Sequence, residues 1–140
     1  MSTTAVGASP GARTRSALLE RGALLFARYG VTGVTTRQLH DAIGSRNESA
    51  LHYHFGDRAG LVAEIVRLHV EAVEARRALL VDEIVLAAGT ADIRSLVNAL
   101  AAPMADDLQT PLGRAHLRIV AQLSHPALAY RRAFSRTRTP

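Results

Sequence analysis

The sequence predicts an all-α fold, in which a three-helix head of the helix-turn-helix type is joined by a long fourth helix to a short helical body. Three observations predict it. Apolar residues recur at helical spacing along most of the 140 residues. Gly, Asp, Thr and Pro residues divide the chain at positions typical of helix ends. Two of the resulting helices have only about two turns each, and helices that short need neighbours on either side to bury a core.

The chain begins with small and polar residues, 1–12, which we expect to form a disordered arm. The first helix is predicted from Arg13 to Tyr29, because its apolar residues fall on one stripe. Gly30 follows, at the position where a glycine commonly ends a helix. We expect this first helix to support the pair of short helices that comes next.

The second helix is predicted over Thr36–Ala42, with the Thr35 hydroxyl as its N-cap and Gly44 as its end. The third helix is predicted to begin at Asn47 or Glu48, where a favourable cap occurs. The two short helices are therefore joined by a turn centred on glycine.

The two faces of the third helix are expected to differ. Leu51 and Phe55 lie four residues apart and should point into the protein, while His52 and Tyr53 should point out. Two short helices joined by a tight turn, the second with a polar and aromatic outer face, are the arrangement that places a recognition helix in the major groove of DNA.

The fourth helix is predicted from its cap Asp57 to about Ala87, with one apolar face and one charged face. The sequence thus divides into an arm (1–12), a helix-turn-helix DNA-binding domain (13–60, with the fourth helix starting at 57), a helical effector and dimerisation region (61–134) and a tail (135–140).

Within the body, a fifth helix is predicted after a cap at Thr90 or Asp92, with a kink or an early end at Pro103. Thr110 and Pro111 open a sixth helix that ends near Ser124. A last short helix is predicted over Ala127–Phe134. The apolar stripe of the fifth helix consists of Ile93, Leu96, Val97, Leu100, Met104 and Leu108.

Composition excludes several classes of protein. The chain has no Cys, which rules out disulfide scaffolds, thiolate nucleophiles and zinc fingers with Cys ligands. No apolar run reaches the roughly 18 residues of a membrane span, so we expect a cytoplasmic protein. The six His residues show no spacing typical of a metal site, and Asp106 with Asp107 most simply form a solvated surface. With no catalytic motif either, we expect neither an enzyme nor a bound cofactor.

Charge is distributed unevenly along the chain. Residues 1–60 hold seven Arg against four acids (+3), residues 61–110 hold four against eight (−4), and residues 111–140 hold six against none (+6). The basic balance of the first segment suits a partner that carries dense phosphate charge.

Five short motifs occur in order in the first half of the chain: Phe26-Ala-Arg-Tyr-Gly30, Thr35-Thr-Arg-Gln-Leu39, Ala50-Leu51, Tyr53-His-Phe55, and Asp57-Arg58 with Leu61. Through these motifs, roughly residues 13–70 resemble the tetracycline-repressor-like (TetR) transcriptional regulators. Two departures affect the reading surface. The turn from Gly44 to Asn47 is one residue longer than usual, and His52 stands where the family pattern commonly has Tyr.

The resemblance implies that the third helix reads bases while the starts of the second and fourth helices hold phosphates. Thr35 and Arg37 would then contact one phosphate, and Arg58 the opposite one. His54 would contact a phosphate or stay structural. The full set of residues expected to contact DNA is Thr35, Arg37, Arg46, Asn47, Glu48, Ser49, His52, Tyr53, His54 and Arg58.

The resemblance also implies a partner copy and an effector. Regulators of this family dimerise through late helices and hold a small molecule in the body, but this chain is shorter than family members generally are. Either it dimerises through residues 92–130, or it is a truncated fragment that does not respond to a ligand. The expected function is a ligand-responsive repressor that binds a near-palindromic double-stranded operator as a homodimer. A nonspecific nucleic-acid-binding or protein-interaction module is the alternative from another class.

Overall fold

The computed structural model describes residues 9–44, 49–88 and 92–124, and within them it contains helices and no strands. The predicted all-α class is confirmed for these residues. The helices are α1 (Pro10–Tyr29), α2 (Thr36–Ile43), α3 (Ala50–Phe55), α4 (Arg58–Ala88), α5 (Ile93–Asp107) and α6 (Pro111–Ser124). The first eight residues of the predicted arm, the predicted break at Gly89-Thr90, the predicted helix Ala127–Phe134 and the tail lie outside the described residues. In the described ranges no helix combines the length and the apolar character needed to cross a membrane.

The first helix begins earlier than predicted. Ser9 caps it by accepting a hydrogen bond of 3.2 Å from the backbone N–H of Ala12, and Pro10 occupies the first helical position. Proline suits this position because its missing N–H would have no partner there and its φ angle is already helical. Pro10–Ala12 are therefore helical, and not part of a disordered arm as predicted.

The predicted caps of α2, α4 and α5 are confirmed. Gly44 ends α2 with a φ of 63°, a left-handed conformation that glycine adopts without strain. At the start of α4, the Asp57 carboxylate accepts a hydrogen bond of 2.7 Å from the N–H of Gly60. Asp92 caps α5 by accepting from the N–H groups of Arg94 and Ser95.

One hydrophobic core joins the first four helices to α6. It is built from side chains that are at least nine-tenths buried, and Ile119 of α6 is among its fully buried members. Gly22 allows the close approach of α1, since a Cβ there would lie 3.1 Å from a methyl group of Leu61. The core residues are Leu18, Ala23, Phe26, Val34, Leu39, Ala50, Leu51, Leu61, Val62, Ile65 and Ile119. The core therefore contains residues from both sides of residue 60, where the sequence analysis placed the end of the DNA-binding domain.

The fifth helix differs from the sequence prediction in two ways. It continues through the buried Pro103 to Asp107, so the early end considered at that proline is wrong. Its inward-facing side chains are Ala99, Pro103 and Asp107, whereas its apolar stripe faces outward. The exposed members of the stripe include Ile93 (80%), Val97 (55%) and Leu100 (55%). A stripe with helical period therefore exists, but it is largely exposed in the part of the chain that the structure describes.

Candidate nucleic-acid interface

The start of α2 is fixed by a reciprocal pair of hydrogen bonds. The Thr35 hydroxyl oxygen accepts from the N–H of Gln38 (3.3 Å), and the Gln38 side-chain oxygen accepts from the N–H of Thr35 (2.8 Å). This capping box stabilises the helix end and orients the remaining N–H groups of the first turn outward. The predicted contact of Thr35 with a phosphate stays a prediction, and it would require its N–H to leave Gln38.

Arg37 lies in the first turn of α2 and extends into solvent. Its side chain is 91% exposed, and its Nε is 4.0 Å from a carboxylate oxygen of Asp41. An exposed ion pair of this length contributes little to stability. The guanidinium group can therefore turn toward an anion near the α2 N-terminus at small cost, and the helix dipole adds to the attraction there.

Two arginines from neighbouring helices hold α2 at both ends. Nη1 of Arg21 in α1 donates a hydrogen bond of 2.6 Å to the carbonyl oxygen of Ala42. Nη1 of Arg58 in α4 donates one of 2.5 Å to the carbonyl oxygen of Val34, beside Thr35. Arg58 thus has a positioning role in addition to the phosphate contact expected for it, which stays a prediction.

The short helix α3 has one buried and one exposed face. Leu51 is 3% exposed and belongs to the core, whereas Tyr53 is 82% exposed. Nδ1 of His52 lies 2.7 Å from the carbonyl oxygen of Gly56, which makes Nδ1 the protonated nitrogen of the neutral ring. Nε2 is then left as an acceptor on an exposed side chain. The orientation predicted for these side chains is confirmed.

His54 and Phe55 connect the outer face of α3 to the interior. The ring of His54 contacts Tyr53 edge-on, with the ring centres 4.9 Å apart, and also lies next to Phe55. The guanidinium carbon of Arg15 in α1 lies 5.5 Å from the centre of the Phe55 ring. Since Arg15 also donates a hydrogen bond to Glu64 in α4, it joins α3 to both supporting helices.

Glu64 is the anionic partner in this support. Hydrogen bonding from Arg67 lowers the pKa of Glu64 below its ordinary value, and the charge of Arg15 lowers it further. Glu64 therefore keeps its negative charge to a lower pH than an ordinary glutamate does. Its ion pairs hold the N-terminal half of α4 beside α1.

The rest of the predicted reading surface is described only in part. Arg46, Asn47 and Glu48 lie outside the described residues. Ser49 is exposed and occupies the position before α3, and its side chain does not cap that helix. Helix α3 therefore begins at Ala50, and the predicted start at Asn47 or Glu48 is wrong, because Ser49 lies in a turn before the helix.

Several positioning residues were not identified from the sequence. The capping box was detectable, since Thr35 and Gln38 have the required spacing. Arg21 and Arg58 bond to carbonyl oxygens about twenty residues away in sequence, and neither helical period nor composition marks such contacts. Arg58 donates to the carbonyl oxygen of Val34, the residue before Thr35. His52 bonds to the carbonyl oxygen of Gly56, two residues before Arg58. These two hydrogen bonds therefore link the backbone around Thr35 to that around His52.

The two aspartates at the end of α5 are a correction to the sequence analysis. Asp106 is exposed, but Asp107 is only 9% exposed and accepts a hydrogen bond of 3.0 Å from Arg76. The folded chain also brings His69 and His116 together, with ring centres 4.9 Å apart. Within the described ranges, no group of three or more potential ligands is arranged to hold a metal ion.

No family model matches this chain, and neither the curated proteins nor the solved structures include a significant match to it. The candidate interface is thus defined by its own residues and their geometry.

Proposed function

We propose that this chain is a sequence-specific DNA-binding regulator, a TetR-like repressor in which α2 and α3 form a helix-turn-helix and α3 reads bases. The observation that carries the proposal is the two-sided character of α3. Its inner face is fixed by Leu51 in the core, and its outer face presents Tyr53 and His52 to solvent. A tyrosine that is 82% exposed contributes little to the core, and its side chain is free to enter a groove of DNA.

The chemistry of the outer face suits base edges and backbone phosphates. Nε2 of His52, as an acceptor, matches the amino groups that cytosine and adenine present in the major groove. Tyr53 offers a ring for apolar contact and a hydroxyl for a phosphate. Arg37, at the dipole-positive end of α2, supplies charge for the flanking backbone.

A repressor of this type acts as a dimer, and α5 provides a surface for the second copy. The outward apolar stripe of α5 runs the length of the helix, from Ile93 to Leu108. An exposed apolar stripe of this length is typical of a protein–protein contact. The repressor mechanism requires two copies paired there to place their two α3 helices in successive major grooves, about 34 Å apart, and so to block other proteins from the bound DNA.

The test begins by selecting duplexes from a random-sequence pool with the wild-type chain. We expect a common sequence that remains bound in excess random duplex. Tyr53→Ala should weaken binding to that sequence by about 5- to 150-fold, since a good base contact contributes roughly 1–3 kcal/mol. Asn98→Ala is the control, because this exposed residue belongs neither to α2 or α3 nor to the apolar stripe of α5.

Two results would overturn the proposal. A selection that recovers no common sequence, with binding that disappears steeply as salt rises, would indicate a nonspecific electrostatic binder. Equal affinities for the wild type and Tyr53→Ala would show that α3 is not the reading helix. Circular dichroism of each variant establishes that the helical content is unchanged.

A further inference from the structure

The end of α6 is hydrogen-bonded to the loop that leads into α2. The Gln122 side-chain oxygen accepts a hydrogen bond of 2.9 Å from the N–H of Val31, and its Nε2 donates one of 3.3 Å to the carbonyl oxygen of Phe26. Ile119, one turn earlier in α6, is fully buried in the core. Val31 is four residues before Thr35, a stretch that spans at most about 14 Å. Helix α6 therefore ends close to the side of the head where α2 begins.

The surface around this junction carries positive charge that is not compensated. Arg28 in the last turn of α1 and Arg118 in α6 are exposed, and neither has an ion-pair partner among the described residues. No acidic residue occurs in 26–40 or in 111–124. Glu20, the acid of α1, lies near the start of α6 and not near its end. An anion that approaches the end of α6 would therefore meet arginines from two helices.

The chain continues from this junction with a segment rich in arginine. Residues 125–140 contain no acid and four arginines, Arg131, Arg132, Arg136 and Arg138. Sixteen residues can reach about 24 Å as a helix and up to about 55 Å as an extended chain. Since DNA rises about 3.4 Å per base pair, these lengths correspond to roughly 7–16 base pairs. The position of Gln122 sets the start of this charged segment beside α2.

We propose that the end of α6 and the arginines that follow it form a second contact with double-stranded DNA. The groups it binds are the backbone phosphates that flank the sequence read by α3. We name this surface the flanking contact, and it consists of Arg118, Arg131, Arg132, Arg136 and Arg138. The inference rests on the proposed function, in which the duplex lies against α2 and α3.

The chemistry of arginine suits this role. Its planar guanidinium group can donate two parallel hydrogen bonds to one phosphate. Such contacts carry no sequence information directly, so the flanking contact would strengthen binding to any duplex that is long enough. It also extends the basic start of α2, where the side chain of Arg37 is 91% exposed.

The test measures how the affinity of the full 140-residue chain for DNA depends on salt concentration. Two duplexes of about 50 base pairs are compared, one with the sequence selected by the wild type at its centre and one scrambled, so that each has flanks of roughly 16 base pairs. One variant replaces all five arginines of the flanking contact with glutamine. Circular dichroism establishes that its helical content is unchanged.

The five-arginine variant should bind both duplexes with a weaker dependence on salt. Each phosphate contact contributes about 0.9 to the slope of log affinity against log salt concentration, so the slope should become shallower by about 2–4. The ratio of the affinities for the two duplexes should stay within about twofold of the wild-type ratio. On a duplex trimmed to the selected sequence alone, most of the difference between variant and wild type should disappear.

A matched pair of single variants locates the contact. Arg118→Gln should lower the slope by about 0.9, whereas Arg94→Gln should leave it unchanged. Both arginines are exposed, but Arg94 follows the far end of α4, a helix of 31 residues that extends about 46 Å from the head.

Four results would overturn the flanking contact. They are an unchanged slope in the five-arginine variant, equal effects of Arg118→Gln and Arg94→Gln, a difference that persists on the trimmed duplex, and a changed affinity ratio. Failure of the proposed function gives a different result, because the wild type would then bind the selected and scrambled duplexes equally. The slopes on the scrambled duplex would still test the flanking contact in that case.

Discussion

Nη1 of Arg58, the first residue of α4, lies 2.5 Å from the carbonyl oxygen of Val34, the fully buried residue that precedes the cap of α2. The same nitrogen lies 3.4 Å from the carbonyl oxygen of Thr32. One charged side chain therefore ties the start of the long helix to the loop that sets the position of α2. We expect a change in the tilt of α4 to be passed to α2 through this contact.

Arg58→Met should loosen the loop before α2 while retaining most of the side-chain volume. A hydrogen bond from a charged group contributes roughly 1.5–3 kcal/mol, so the free energy of unfolding should fall by about that amount. Chemical denaturation measures the loss, and hydrogen exchange should show reduced protection in α2. Arg28→Met is the matched control, because Arg28 is exposed and only stacks on Tyr29. Equal stabilities of the two variants would contradict the role given to Arg58.

Gly60→Ala should disturb the junction between α3 and α4. A Cβ at this position would lie 1.9 Å from the backbone carbonyl oxygen of Phe55, and neither backbone can yield without moving α3. We expect a loss of roughly 1–3 kcal/mol in the free energy of unfolding, although alanine is normally the better helix former. The control Gly11→Ala meets nothing closer than 3.9 Å and should be neutral or stabilising. A Gly60→Ala variant as stable as the wild type would show that α3 and α4 are not packed this closely.

Acidification should destabilise the fold through the imidazoles of His69, which is buried, and His116, which is partly buried. Burial lowers the pKa of His69 and His116 from the ordinary 6.5, so the unfolded chain binds more protons than the folded chain as the pH falls through this region. The stability that their neutral forms provide is complete above pH 6.5 and is lost as the pH falls toward their folded pKa values.

Thermal unfolding between pH 7.5 and 5.5 tests this dependence. The melting temperature of the wild type should fall over that interval, and the fall should be smaller in a His69→Gln/His116→Gln double variant. Glu64, whose pKa is lowered from 4.5, loses its contribution only below this interval. An identical fall in the wild type and the double variant would assign the acid sensitivity to other groups.

Features set by local chemistry were predictable from the sequence. The caps Thr35, Asp57 and Asp92 and the glycine ends of α1 and α2 depend on contacts within a few residues, and their residue types are distinctive. The inward Leu51 and outward Tyr53 followed from helical spacing alone. The start of α1 was missed by three residues, although Ser9 and Pro10 form a recognisable cap.

Contacts between distant parts of the chain were not predictable in the same way. A helical period indicates that one face is apolar, but it does not show whether that face meets the chain's own core or another molecule, and the stripe of α5 illustrates this. Asp107 looked like half of a solvated pair because its partner Arg76 lies thirty-one residues earlier, on another helix. The meeting of His69 with His116 is likewise set by the packing of α4 and α6.

The stripe of α5 gives the last prediction, which concerns the proposed dimer. Leu100 lies in the middle of the stripe and is 55% exposed, so Leu100→Glu would place two charges in an apolar contact and should dissociate a dimer. Light scattering of the wild type should give twice the chain mass of 15.0 kDa, and the variant should give that mass once. Asn98→Glu adds the same charge on the other side of α5 and should remain dimeric. A wild type that is monomeric across a concentration series would remove the two-fold arrangement and its spaced half-sites, even if α3 still reads DNA.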